Sequence, residues 1–268
     1  MSYTTRAKYY RQSDGSLRLA SIQHFNAPKF VPSGYERRES EHVVADEIDR
    51  LEDGCQTADE SPSIGNIERA TRRARKNAFD LIMCNPDLDA FATFTYSPDE
   101  VDNKADYDEC YRYLGRWLDN RVQRRGLKYV CVPERTKRGD IHFHAICNKE
   151  ALKIEQAFSP HTGRALTHHG KPIYNLTDWT RGFSTVEEIT RLGDGEDERA
   201  MVSKYIFKYM GKQAGQKIGG RYVLIGGDLA KPVYLYGDAP EEFFNGSHAT
   251  YVNEVHVDDL TYREWSYI

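Results

Sequence analysis

Apolar and polar positions along the chain switch between two periods, and the switches mark the elements. Tyr3 to Tyr10 and Leu17 to Phe25 are β-rich runs around Ser13-Asp14-Gly15-Ser16, which predicts an N-terminal hairpin. Alternation in Phe91-Ala92-Thr93-Phe94-Thr95-Tyr96 sets Phe91, Thr93 and Thr95 on one face and Ala92, Phe94 and Tyr96 on the other, as in a central strand beside a site. Lys128 to Cys147, KYVCVPERTKRGDIHFHAIC, reads as two strands joined by a tight turn at Lys137-Arg138-Gly139-Asp140.

Helical spacing appears in three places. Ile67, Ala70, Ala74, Ala78, Leu81 and Ile82 form an apolar stripe opposite an arginine stripe, behind Asn66 as a cap. Cys110, Tyr111, Leu114, Trp117, Leu118 and Val122 predict a sheet-covering helix over Tyr107 to Arg125 that ends near Gly126. EDERAMVSKYIFKYMGK is rich in helix formers, with Gly211 near its end. A short helix is expected at Glu150 to Phe158, then a loop from Ser159 to Thr180 with His161, His168 and His169 on it. Trp179 to Phe183, Thr185 to Thr190, Val223 to Ile225 and Pro232 to Tyr236 are further strand candidates. The tail from Phe243 to Ile268 takes no assignment. Between Ser33 and Gly65 the chain turns acidic and rich in Ser and Gly, which predicts a mobile linker around a short helix.

Composition narrows the class. With 268 residues the chain can build a substantial core, and its mean hydropathy of -0.72 marks a polar surface. No run approaches the roughly 18 apolar residues of a spanning helix, and the start lacks an apolar leader, so a cytoplasmic protein with no membrane partner is expected. Cys55, Cys84, Cys110, Cys131 and Cys147 are odd in number and lack a CxxC, which argues against a disulfide framework and a zinc ribbon. A net charge of -4 argues against a nucleic-acid binder until the charges are located. Acids gather in Glu36 to Glu60, while Arg69 to Lys76, Arg121 to Arg138 and Lys204 to Arg221 are locally basic.

Candidate chemistry lies on the second hairpin. His142 and His144 share a face that Phe143 does not. A loop of Lys137-Arg138-Gly139 would set Glu134 opposite His142, whereas a loop of Arg138-Gly139 would turn the carboxylate away. In the first register, two imidazoles and a carboxylate suit a divalent cation with open positions. Tyr205 and Tyr209 stand four residues apart on the last predicted helix, with Lys208 and Lys212 each three residues after a tyrosine. Such spacing also fits core or interface aromatics; beside a cation, it fits a phenol nucleophile.

These segments, FATFTY, Glu134 with His142-Phe143-His144, and Tyr205-Ile206-Phe207-Lys208-Tyr209, together resemble motifs one, two and three of the HUH endonucleases. Within that family the resemblance is to two-tyrosine rolling-circle replication initiators of small single-stranded DNA phages and plasmids. The resemblance runs from Phe91 to Lys212. It implies an α+β fold, a central antiparallel sheet of about five strands with flanking helices (HUH/RRM-like), preceded here by the N-terminal hairpin and linker. It further implies Mg2+ or Mn2+ held by Glu134, His142 and His144, and a covalent 5′-phosphotyrosine on Tyr205 or Tyr209, with the second tyrosine free for termination. By the same resemblance Lys208 assists the chemistry, and Lys137, Arg138, Lys204 and Lys212 contact DNA. The partners it implies are a single-stranded DNA origin and a host polymerase. No GxxxxGK[ST] occurs, so unwinding would fall to a host helicase. The expected division is a hairpin region at 1–32, the linker at 33–65, an endonuclease domain at 66–240 and a tail at 241–268. A transposase or relaxase using the same chemistry, a DNA-binding protein whose histidines and tyrosines only pack, and a small metallohydrolase are the alternatives.

Overall fold

In the computed structural model the described residues are 2–30, 64–189, 198–211, 218–237, 249, 251–257 and 260–266. The linker expected at 33–65, up to residue 63, and Lys212 therefore lie outside the described residues. The strands are β1 (Ser2–Arg11), β2 (Leu17–Phe30), β3 (Ala90–Phe94), β4 (Tyr129–Arg135), β5 (Ile141–Cys147), β6 (Ile154–Gln156), β7 (Thr167–His168), β8 (Lys171–Leu176), β9 (Ser184–Glu188), β10 (Leu224–Gly226), β11 (Val233–Gly237), β12 (Tyr251–Val257) and β13 (Leu260–Ser266). The helices are α1 (Ile64–Cys84), α2 (Tyr107–Arg125) and α3 (Glu198–Gly211). The chain divides into two compact units, Met1–Arg69 with Lys231–Ile268, and Ala70–Ala230.

The first unit is an antiparallel sheet in the order β11-β1-β2-β13-β12. The predicted hairpin is its centre. Gly15, at φ 83, closes the turn, and Asp14 Oδ1 accepts from the Ser16 amide at 2.9 Å. Ala7, Ile22 and Trp265 pack on one face. Arg6 and Gln23, both buried, are satisfied within a row across the strands. Arg6 Nε donates to Gln23 Oε1 at 2.7 Å, Gln23 Nε2 donates to Glu264 Oε1 at 3.1 Å, and the Tyr262 hydroxyl donates to Glu264 Oε2 at 2.7 Å. The tail that took no assignment from the sequence supplies β12 and β13. Their partner β2 lies over two hundred residues away, so no local pattern announces them.

The second unit holds the larger sheet, ordered β10-β4-β5-β3-β9-β8-β6, with β7 paired to β8. Its pairings are antiparallel. One face carries Ala92, Phe94, Cys131, Phe143 and Ala145 against Cys110, Leu114, Trp117 and Leu118 of α2. The opposite face carries Val130, Val132 and Ile146 against Ala78 and Ile82 of α1 and Ile206 and Phe207 of α3. α2 begins where Asp106 Oδ1 accepts from the Glu109 amide at 2.8 Å and ends at Gly126, φ 65, as its sequence predicts.

The sheet exceeds the expected five strands because the region after β5 is extended rather than helical or looped. Only Lys149–Ala151 forms a single 3-10 turn where a helix was expected over Glu150 to Phe158. Beyond it, β6 pairs with β8, and Gln156 Nε2 donates to the carbonyls of Ala157, Leu166 and Ile173, each at 3.1 Å. Helix propensity loses here to a tertiary ladder. The loop expected at Ser159 to Thr180 contains β7 and β8. Trp179 to Phe183, expected as a strand, is a turn whose Trp179 indole is buried and donates to the Thr95 carbonyl at 3.2 Å. No helix among the described residues is long and apolar enough to cross a membrane.

Candidate metal and nucleophile site

The β4–β5 turn decides the site. The Thr136 amide donates to the Asp140 carbonyl at 2.9 Å, the Gly139 amide donates to the Thr136 carbonyl at 3.0 Å, and Gly139 sits at φ 93. Lys137-Arg138-Gly139 is thus the loop, with glycine in the left-handed position where a Cβ is disfavoured. Arg135 Nη1 braces it by donating to the Gly139 carbonyl at 2.8 Å and the Ala105 carbonyl at 2.9 Å. The resulting register sets Glu134 opposite His142 and Val132 opposite His144. Since opposed residues share a face, Glu134, His142 and His144 come together on the side of the sheet that α3 covers.

His144 is buried and engaged at both ring nitrogens. Nε2 meets Glu134 Oε2 at 2.8 Å and Nδ1 meets Thr93 Oγ1 at 3.1 Å. His142 is half-buried, and burial first, then the neighbouring His144, lowers its pKa below the ordinary imidazole value. A neutral imidazole is the form that ligates a cation. The parallel ring of Phe91 lies on His144 at 5.9 Å, and the Tyr205 ring meets Phe91 edge-on at 6.1 Å. Tyr205 is 47% exposed. One face therefore presents the three donors, a threonine that orients one of them, and an accessible phenol one ring away.

α3 reaches this place because Ile206 and Phe207 are buried in the cluster of Val130, Val132 and Ile146, while Lys204, Tyr205 and Lys208 are exposed. Tyr209 lies in α3, but its side chain is outside the described residues. Lys137 and Arg138 belong to the hairpin tip. The remaining histidines stand apart: His168 Nδ1 meets Glu187 Oε2 at 2.7 Å, and His161, His168 and His169 are exposed.

The donor set suits a hard or borderline divalent cation by its chemistry. Among the described residues no three His, Cys, Asp or Glu side chains already form a cage, and Glu134 and His144 bond each other directly. An ion at His144 Nε2 would require Nδ1–H to donate to Thr93 Oγ1, and a hydroxyl can take either role. Sequence reading put Phe91 and Thr93 on the correct face but gave them no part in the site. The missing information was the pairing of Thr93 with His144, a contact 51 residues apart. No curated protein and no solved structure matches the chain. The family model of the replication-associated protein ORF2 matches residues 89–214, a span that holds Glu134, His142, His144, Phe91, Thr93 and Tyr205, and this similarity supports a place among rolling-circle replication initiators.

Proposed function

We propose that the chain is a site-specific nickase and strand transferase that starts rolling-circle replication on single-stranded DNA. One observation above the others supports it: Glu134, His142 and His144 share a face with the exposed Tyr205 phenol, with Phe91 packed between His144 and Tyr205. The match to a replication-associated family over 89–214 supports the biological setting.

Glu134, His142 and His144 would hold Mg2+ or Mn2+, which when bound supplies positive charge to the non-bridging oxygens of a phosphate. Thr93 fixes the His144 ring through its hydroxyl, and Phe91 packs on that ring's face, so the imidazole enters the reaction pre-oriented. Tyr205 Oη attacks phosphorus; the new bond joins tyrosine to the 5′ phosphate, the P–O3′ bond breaks, and the 3′ oxygen leaves as a hydroxyl with the proton the phenol gave up. The phosphodiester is exchanged rather than hydrolysed, so reversal by a 3′-hydroxyl rejoins the strand without ATP. Lys204 and Lys208, exposed beside Tyr205 in α3, offer cations to the phosphate. Tyr209, one turn on, would take the second transfer.

Incubation of the protein with single strands tiling the replicon that encodes it, in Mn2+, is expected to give a protein–DNA conjugate that survives denaturant. EDTA should abolish it. Cleavage with two free ends and no conjugate would point to a metallohydrolase instead.

A further inference from the structure

Phe183 is a large apolar side chain left 55% exposed, and register places it on the site face. β3 pairs with β9 as Thr93 to Thr185 and Phe94 to Ser184, and the ladder continues past the strand ends. The Thr95 amide donates to the Phe183 carbonyl at 2.9 Å and the Ser97 amide to the Arg181 carbonyl at 2.9 Å. Phe183 therefore stands across from Thr95, in the alternation that holds Phe91, Thr93 and Thr185 on the site face while Phe94 and Ser184 are buried. β3 pairs on its other side with β5, Thr93 to His144, and one alternation further on Thr95 falls in line with His142. Glu134, His142, Thr95 and Phe183 thus form one row across the sheet. Two strand spacings separate Phe183 from His142, about 10 Å.

The mount is rigid. Thr95 Oγ1 also donates to the Phe183 carbonyl, at 2.7 Å, and the Thr95 carbonyl accepts from the Trp179 indole at 3.2 Å. Gly182, at φ 148, lies so close to the Thr95–Ser97 backbone that a Cβ there would come within 2.5 Å of the Thr95 carbonyl oxygen. Among the described residues no aromatic ring or cation packs on Phe183. Burial does not account for an unshielded ring on such a fixed backbone, whereas a flat apolar partner does.

Resting on the nickase reading, we propose that Phe183 is a base-stacking platform that positions the nucleotide flanking the scissile phosphate, on the β9 side of the site. A phenyl face accepts any base, so the platform contributes affinity and alignment rather than sequence choice. Lys137 and Arg138 lie at the opposite end of the same row, on the β4–β5 tip, so the strand would run across the sheet between cations and ring.

The test uses the full chain, EDTA to prevent cleavage, and a fluorescein-labelled oligothymidylate of about 20 nucleotides as probe. Phe183→Ala should raise Kd about tenfold, and Phe183→Trp should restore it, with indole emission quenched as DNA is added. Circular dichroism and Tm of Phe183→Ala should match the parent, since the ring is half-exposed. An unchanged Kd for Phe183→Ala, a tryptophan variant as weak as the alanine one, unquenched emission, or no binding by the parent would each overturn the platform. The conjugate assay is scored separately. Conjugate formation with an unchanged Kd removes the platform and leaves the nickase, while stacking without any conjugate removes the nickase.

Discussion

At the residue scale the account turns on how His144 is held. A histidine ring on a strand can turn about two side-chain bonds, and Thr93 and Glu134 fix it by engaging both of its nitrogens. Thr93→Val keeps the shape and removes the hydroxyl, so Mn2+ affinity measured by calorimetry should fall about 10- to 100-fold while Tm stays close to the parent. Thr93→Ser should recover most of the loss; equal affinity in Thr93→Val would remove threonine from the site. The cysteines give a second residue-level outcome. Burial pushes the Cys110 and Cys147 thiols up to about 12, so at pH 8 they stay protonated and should react with Ellman's reagent only after unfolding. The sign for stability follows: these folded-state values lie above those of the unfolded chain, so their contribution is full below the ordinary thiol range and is lost as pH climbs from there toward 12. Urea midpoints should fall across that window. Residue identities at the site were legible in the chain because an alternating HxH and a flanking carboxylate are local facts. Phe91 and Thr93 were not, because their role exists only once β3 lies beside β5.

At the scale of elements, the β4–β5 hairpin is the device that makes three scattered letters a site. Side chains change face at every residue, so a loop shorter by one residue would turn Glu134 away from the histidines. Deleting Arg138 should therefore abolish Mn2+ binding while leaving a folded protein by circular dichroism; retained binding would mean that the register is not what gathers the donors. Gly139→Ala meets open space but must adopt φ 93, and should cost about 1 kcal/mol in chemical denaturation. Local turns and caps could be read from the chain: Asp14-Gly15, Asp106, Gly126 and Gly139 act as their types predict. β6, β7 and β8 could not, since Ile154, Gln156 and Tyr174 form strands by pairing across the ladder rather than by their own propensity.

At the scale of the whole molecule, the chain leaves its N-terminal sheet, builds the site-bearing unit over Ala70–Ala230, and returns to finish the first sheet with β11, β12 and β13. Such a return cannot be seen in sequence order, which is why the tail stayed unassigned. The negative net charge also misleads at this scale: the cations Lys137, Arg138, Lys204 and Lys208 belong to the elements that carry the site. What the unit is for rests on a phenol from α3 acting on a phosphate beside the histidine pair. The most direct measurement is mass spectrometry of the conjugate after nuclease and protease digestion. The account predicts a nucleotide esterified through its 5′ phosphate to Tyr205 in the α3 peptide, absent from His142→Ala and absent from the Tyr205→Phe, Tyr209→Phe double variant. An adduct on a residue outside α3, or one that persists in that double variant, would contradict it.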